Sequence, residues 1–78
     1  MKEKVFKVIE EVSGSDEFLQ DEHIDLFEAG ILDSMRAIML IVQLEAAFGV
    51  LLPPSEMDRE DWNTAAKIVL RIEEKVNA

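Results

Sequence analysis

Residues 33–49 read DSMRAIMLIVQLEAAFG, and the fold turns on them. Asp33 is a strong helix N-cap and Gly49 a C-terminal stop, so the stretch predicts a helix over 34–48. On a wheel of about 100° per residue, Ala37, Leu40, Ile41, Leu44, Ala47 and Phe48 share one apolar arc. That arc spans about 120°, wide enough to face the core of a small bundle. Met35, Ile38, Met39, Val42 and Ala46 form a second apolar arc, set off by Arg36 and Gln43 on one side and Glu45 on the other. Two readings stand open. Either the helix is central and buried on most sides, or part of the second arc is a docking surface for other proteins. Flexible, polarisable methionine suits such a surface.

Working outward, Val5, Ile9 and Val12 recur at i, i+4 and i+7, with Phe6 and Val8 beside them. This predicts a first helix over 2–13, ended by Ser13-Gly14-Ser15. Toward the C-terminus, Ala65, Ile68, Val69, Ile72 and Val76 define a last helix over about 64–76, capped by Asn63 or Thr64. Ser55 with Asp58 resembles a loose capping pair and predicts a short helix over about 55–61. Leu51-Leu52-Pro53-Pro54 is expected to be extended. Residues 14–33 form a long connection carrying Phe18, Leu19, Ile24, Leu26, Phe27, Ile31 and Leu32. It is too apolar for a free linker. An ordered loop pressed onto the core is expected, with a helical turn near 16–20 and a tight turn at Gly30. Loops longer than about 12–15 residues are often functional. Nothing reads as a strand. The fold class is therefore all-α: a small bundle of three main helices plus one short helix, with a long loop after the first helix.

The chain has 78 residues, which bounds it to a single domain over 1–78. Its 8 basic against 17 acidic residues give a net charge of -9. Nucleic acid and anionic membrane surfaces both require a basic footprint, so both are poor partners. The absence of cysteine excludes disulfide scaffolds and thiolate zinc sites. No apolar run approaches the ~20 residues of a membrane span, and no signal-peptide core follows the N-terminus. The expected location is the cytoplasm.

Candidate chemistry is sparse. Ser34 opens the second helix beside Asp33, where simple capping is one account of the pair. A serine nucleophile needs a base within reach, and the single histidine, His23, reads as a surface loop residue. No catalytic residue is assigned. Asp58, Glu60 and Asp61 lack a converging shell, so no metal site is assigned either. Trp62 reads as a core plug, and Arg59 as a solvated ion pair among its acidic neighbours.

Leu26-Phe27-Glu28-Ala29-Gly30-Ile31-Leu32-Asp33-Ser34-Met35 resembles the phosphopantetheine attachment site of carrier proteins. That signature is an apolar-rich loop, a glycine, then Asp-Ser-Leu or Asp-Ser-Met opening the second helix. Ser55 through Ile68, with Arg59, Trp62, Thr64 and Lys67, is similar to a segment of the D-alanyl carrier family. Met57, Asn63 and Ala65-Ala66 depart from the Phe, Asp and Pro usual there. The resemblance implies a monomeric carrier rather than an enzyme. Phosphopantetheine would be attached covalently to Ser34, with Asp33 the second residue of the cofactor site, capping the helix and contacting the modifying enzyme or its metal. Met35, Arg36, Ile38, Met39 and Val42 would form the partner-binding face. The implied partners are a phosphopantetheinyl transferase, a D-alanine–carrier ligase and acyl-transfer machinery at the membrane. The implied cargo is D-alanine, carried as a thioester for D-alanylation of (lipo)teichoic acid. The alternatives are an acyl or aminoacyl carrier with another cargo, as in fatty-acid, polyketide or peptide biosynthesis, and an unmodified acidic adaptor.

Overall fold

The computed structural model describes residues 1–53, 55 and 58–77. The elements run α1 (Lys2–Ser13), a 3-10 turn (Glu17–Leu19), α2 (Ser34–Phe48), α3 (Arg59–Trp62) and α4 (Ala65–Val76). No strand occurs among the described residues. The three long helices follow the apolar spacing that predicts them. Val5, Val8 and Ile9 of α1, Leu40 and Leu44 of α2, and Ile68, Val69 and Ile72 of α4 converge in one core. Each helix buries a single stripe, so removing one large contributor leaves a cavity that its neighbours cannot refill.

The helix ends are made by local chemistry. The Ser13 hydroxyl donates to the Ile9 carbonyl at 2.7 Å and accepts from the Ser15 N–H at 3.2 Å. These bonds turn the chain off α1. At the far end of α2, Gly49 takes φ 64°, a left-handed conformation that costs glycine little. Lys4 of α1 then donates to the Ala47 carbonyl at 2.9 Å and lies 4.9 Å from the Phe48 ring centre. A cation from α1 thus meets the negative end of the α2 dipole. Thr64, and not Asn63, caps α4: its hydroxyl accepts from the Lys67 N–H at 3.1 Å.

The long connection is pressed onto the core, as its apolar content predicts. Phe18, on the 3-10 turn, is fully buried and meets Phe6 edge-on at 5.4 Å. Leu26, Ile31 and Leu32 are also buried, whereas Leu19 is exposed. The loop is stitched to the α3–α4 junction. The Leu26 N–H donates to the Asn63 carbonyl at 2.6 Å, and the Ala66 N–H to the Glu22 carbonyl at 3.0 Å.

One boundary differs from expectation. The short α-helix begins at Arg59, and Ser55 itself has 3-10 conformation. Asp58 has ψ 133°, an extended conformation through which no helix can run, and its side chain makes no capping bond. The carboxylate of Asp is also one methylene shorter than the Glu of a true capping box. Glu56 and Met57, within the expected helix, lie outside the described residues, as does Pro54 of the expected extended segment. Leu51, Leu52 and Pro53 are in neither helix nor strand. The Leu52 N–H is held by the Glu45 carboxylate at 2.9 Å.

Candidate functional site

Four segments meet around the start of α2: the Asp25–Leu32 turn, the Asp33–Ser34 helix opening, the exposed face of α2 and the short helix α3. The turn is built on one carboxylate. Asp25 Oδ1 accepts from the Phe27 and Glu28 N–H groups at 2.9 and 3.0 Å, and Oδ2 accepts from the Asn63 side-chain amide at 3.0 Å. The Glu28 N–H bond, above all, holds the Asp25 carboxyl below its ordinary value of 3.8. The Phe27 N–H, the Asn63 amide and the Arg59 charge act in the same direction, and partial burial opposes them. Lys67 Nζ donates to Asn63 Oδ1 at 3.1 Å. Both ends of the Asn63 amide are therefore used. An aspartate at this position would set a second carboxylate against Asp25. Gly30 then takes φ 76° and returns the chain so that Ile31 and Leu32 enter the core.

This turn delivers Asp33 and Ser34 to the α2 N-terminus. Asp33 Oδ1 accepts from the Arg36 N–H at 2.8 Å, so the expected N-cap is present. Ser34 is exposed in the first turn of the helix. Its hydroxyl makes no hydrogen bond among the described residues. His23 is exposed in the loop, and its N–H donates to Asp21. No bond joins His23 to Ser34 among the described residues.

The second arc of α2 settles the open question about that helix. Met35, Ile38, Met39 and Val42 are between 49% and 73% exposed. Ala46 and Arg36 are exposed as well. The reading in which α2 is buried on most sides therefore fails. Four apolar side chains line up along the helix immediately after Ser34. Leu51, 80% exposed, extends the same surface. With Ile38, Val42, Leu52 and Pro53 it edges a shallow apolar groove. Sequence reasoning missed Leu51, because an extended segment gives no sign of which face it shows.

Ser34 also borders a half-open cavity of about 200 Å³ whose walls include Leu32, Leu40, Ile41, Arg59 and Trp62. Trp62 is buried, as a core plug should be, yet its Nε1 has no hydrogen-bond acceptor among the described residues. A buried unpaired donor costs about 1–3 kcal/mol. Among the described residues Arg59 is not paired with Asp58, Glu60 or Asp61. Residues one or two apart on a helix do not face each other. Its guanidinium lies 4.2 Å from the Phe27 ring centre, and Asp61 pairs with Arg71 at 3.2 Å. Among the described residues no three His, Asp or Glu side chains gather as metal ligands. No helix there is long and apolar enough to cross a membrane.

Comparison with known proteins fits this arrangement. Residues 3–72 match the model of the family described as "Phosphopantetheine attachment site". A protein of Lactococcus lactis subsp. cremoris (strain MG1363) named "D-alanyl carrier protein" is 68% identical over 77 residues, 99% of this chain and 98% of that protein. The chain belongs to the D-alanyl carrier protein family. Another D-alanyl carrier protein, from Lactococcus lactis subsp. lactis (strain IL1403), is 71% identical over 75 residues, 96% of this chain and 95% of that one. A third, from Streptococcus suis (strain 05ZYH33), is 47% identical over 79 residues, with 100% and 98% covered. A D-alanyl carrier protein is not itself catalytic. It bears covalent phosphopantetheine and is acted on by other enzymes. The residues fit such a group. The accessible Ser34 hydroxyl offers a point of attachment.

Proposed function

We propose that residues 1–78 form a single carrier domain in which Ser34 Oγ is joined to phosphopantetheine through a phosphodiester. The bound group supplies a thiol that holds D-alanine as a thioester, for D-alanylation of (lipo)teichoic acid. The observation that carries this reading is the exposed, unpaired Ser34 hydroxyl at the mouth of α2, within the matched segment. Asp33 holds the first turn of α2 in place, so Ser34 is presented on a fixed backbone. The helix N-terminus carries partial positive charge and unsatisfied N–H groups, which favour a phosphodiester anion. Ser34 Oγ attacks the pantetheine-side phosphorus of coenzyme A: the Oγ–P bond forms, the pyrophosphate bond breaks, adenosine 3′,5′-bisphosphate leaves, and the Oγ–H proton passes to a base of the modifying transferase.

Docking falls to Met35, Ile38, Met39 and Val42, with Arg36 as a cation on the rim and Leu51 as an extension. The partners on this reading are a phosphopantetheinyl transferase, a D-alanine–carrier ligase and transfer machinery at the membrane. A monomer in the cytoplasm can visit each in turn with the same face. The chain has no cysteine. The prosthetic thiol is then its sole acyl acceptor of thioester type.

Attachment is tested with the purified chain, coenzyme A and a broad-specificity phosphopantetheinyl transferase, read by intact mass and peptide mapping. The wild-type chain is expected to gain one phosphopantetheine on Ser34. The Ser34→Ala variant is expected to keep its helical spectrum and gain nothing. A variant modified as well as the wild-type chain would overturn the assignment. A wild-type chain that stays unmodified while a control carrier reacts would favour an acidic adaptor.

A further inference from the structure

Arg36 stands against the preference of its own helix. It is the third residue of α2, in a first turn that carries no acidic side chain. A helix N-terminus bears partial positive charge, so a cation there is unfavourable. A glutamate at this position would instead accept from the N-cap backbone N–H, as in a capping box. Nothing among the described residues compensates. The Asp33 carboxylate accepts from the Arg36 backbone N–H, and no bond joins it to the guanidinium. Met39 and Leu40, three and four residues further on, are apolar. By contrast, Lys2, Lys4, Arg59, Lys67 and Arg71 each rest on a carboxylate, a carbonyl or a ring of this chain. Arg36 is exposed and edges the apolar arc of Met35, Ile38, Met39 and Val42. At the opposite edge the Glu45 carboxylate is engaged by the Leu52 N–H. Arg36 is thus the charged group of the arc with no partner among the described residues, on a chain whose net charge is -9. Residues two apart on a helix do not face each other, so Arg36 does not serve a phosphodiester on Ser34. A residue that breaks a local rule without compensation marks a functional position.

We propose that Arg36 is a specificity-determining residue for loading: it pairs with a carboxylate at the rim of the docking patch on the ligase that acylates the arm. The apolar arc supplies contact but little direction, whereas a charge pair at its edge fixes the register and rejects a patch that is basic there. The transferase reaches Ser34 itself, so its own chemistry sets its register. The ligase meets a thiol at the end of a flexible arm, and the two proteins must be oriented by contacts with the carrier surface. The proposal rests on the carrier reading, and the mass of the arm and of its D-alanyl increment reports that reading separately.

The test charges full-length chains that carry the arm on Ser34, each verified by mass, with ATP, D-alanine and a D-alanine–carrier ligase. The wild-type chain is compared with Arg36→Lys, Arg36→Gln and Arg36→Glu. Arg36→Gln is expected to lower kcat/KM about threefold, as the loss of an exposed ion pair should. Arg36→Glu sets like charges together and is expected to lower it at least about tenfold, through KM rather than kcat. Arg36→Lys keeps the charge and is expected to lose less than Arg36→Gln. The gap between the wild-type chain and Arg36→Gln should close as salt rises from about 50 to 500 mM. Arg36→Glu is expected to melt no lower than the wild-type chain, because a carboxylate suits the first turn. Lower melting of Arg36→Glu with unchanged loading kinetics would make the arginine merely structural and overturn the proposal. Loading of Arg36→Gln and Arg36→Glu as fast as the wild-type chain, or faster, would also overturn it, since that is the behaviour of a ligase basic at this spot. A wild-type chain that carries the arm and is never charged would overturn the proposal together with the function on which it rests.

Discussion

Asp25 organises more of the site than any other side chain, although it touches neither Ser34 nor the exposed face of α2. Its carboxylate closes the turn that delivers Ile31 and Leu32 to the core and Ser34 to the surface. Because its folded-state pKa lies below the ordinary 3.8, the carboxylate contributes stability that is present above the unfolded value. That contribution is lost as pH falls through the folded value. An Asp25→Asn variant is expected to melt below the wild-type chain by a constant margin at pH 5–7, and the margin should shrink below about pH 4. Thermal melts by circular dichroism across that range check this, and a margin that grew with acidification would contradict it. Gly30 allows an independent test of the same turn. No atom lies within 4 Å of a Cβ built there, and φ is 76°. The cost of Gly30→Ala is therefore backbone strain alone, about 1–2 kcal/mol. That corresponds to a melting point lower by roughly 4–16 °C in a domain of this size. The role of Gly30 can be read from sequence, since a glycine before two apolar residues signals a turn. The Asn63–Asp25 bond cannot, because it joins residues 38 positions apart.

At the scale of elements, α2 has two different faces, and one substitution on each separates them. Leu44 is buried in the core. Leu44→Ala is expected to cost about 2–5 kcal/mol, a typical figure for a core leucine. Met39 belongs to the exposed arc, and exposed substitutions away from special features usually stay within about 0.5 kcal/mol. Met39→Asp is therefore expected to melt nearly as the wild-type chain does, yet to lower kcat/KM for the transferase or the ligase at least about tenfold, or about 1.4 kcal/mol. A large loss of stability with normal partner kinetics would place Met39 in the core instead. The 3.6-residue period makes both faces legible in sequence, but which of them finds cover depends on the other elements. The chain supplies a stripe from α1, a stripe from α4 and one apolar loop, and these are used on the first arc. The start of α3 is illegible for a local reason: Ser55 and Asp58 carry the residue types of a cap, while the backbone at Asp58 is extended. The cavity is hidden from sequence for a non-local one, since its walls come from the loop, α2 and α3.

For the whole molecule, the surplus of 17 acidic over 8 basic residues is a property of the surface and not of the fold. It keeps a small chain soluble and draws it toward basic patches on partners. The exposed arc of α2 itself bears no acidic side chain from Met35 to Val42 and one cation, Arg36. Charge therefore acts at a distance, and apolar contact acts at the face. Raising ionic strength is expected to slow association with partner enzymes more than it weakens the docked complex. Stopped-flow association rates from about 50 to 500 mM salt, beyond several Debye lengths, check this.

The most direct test of the account is to charge the phosphopantetheinylated chain with D-alanine. Intact mass is followed after adding ATP, D-alanine and a D-alanine–carrier ligase, with L-alanine and the Ser34→Ala variant as controls. The account predicts one D-alanyl increment on the wild-type chain, removed by hydroxylamine as a thioester should be, and none on Ser34→Ala. A phosphopantetheinylated chain that the ligase leaves uncharged, while a control D-alanyl carrier is charged in the same mixture, would contradict it.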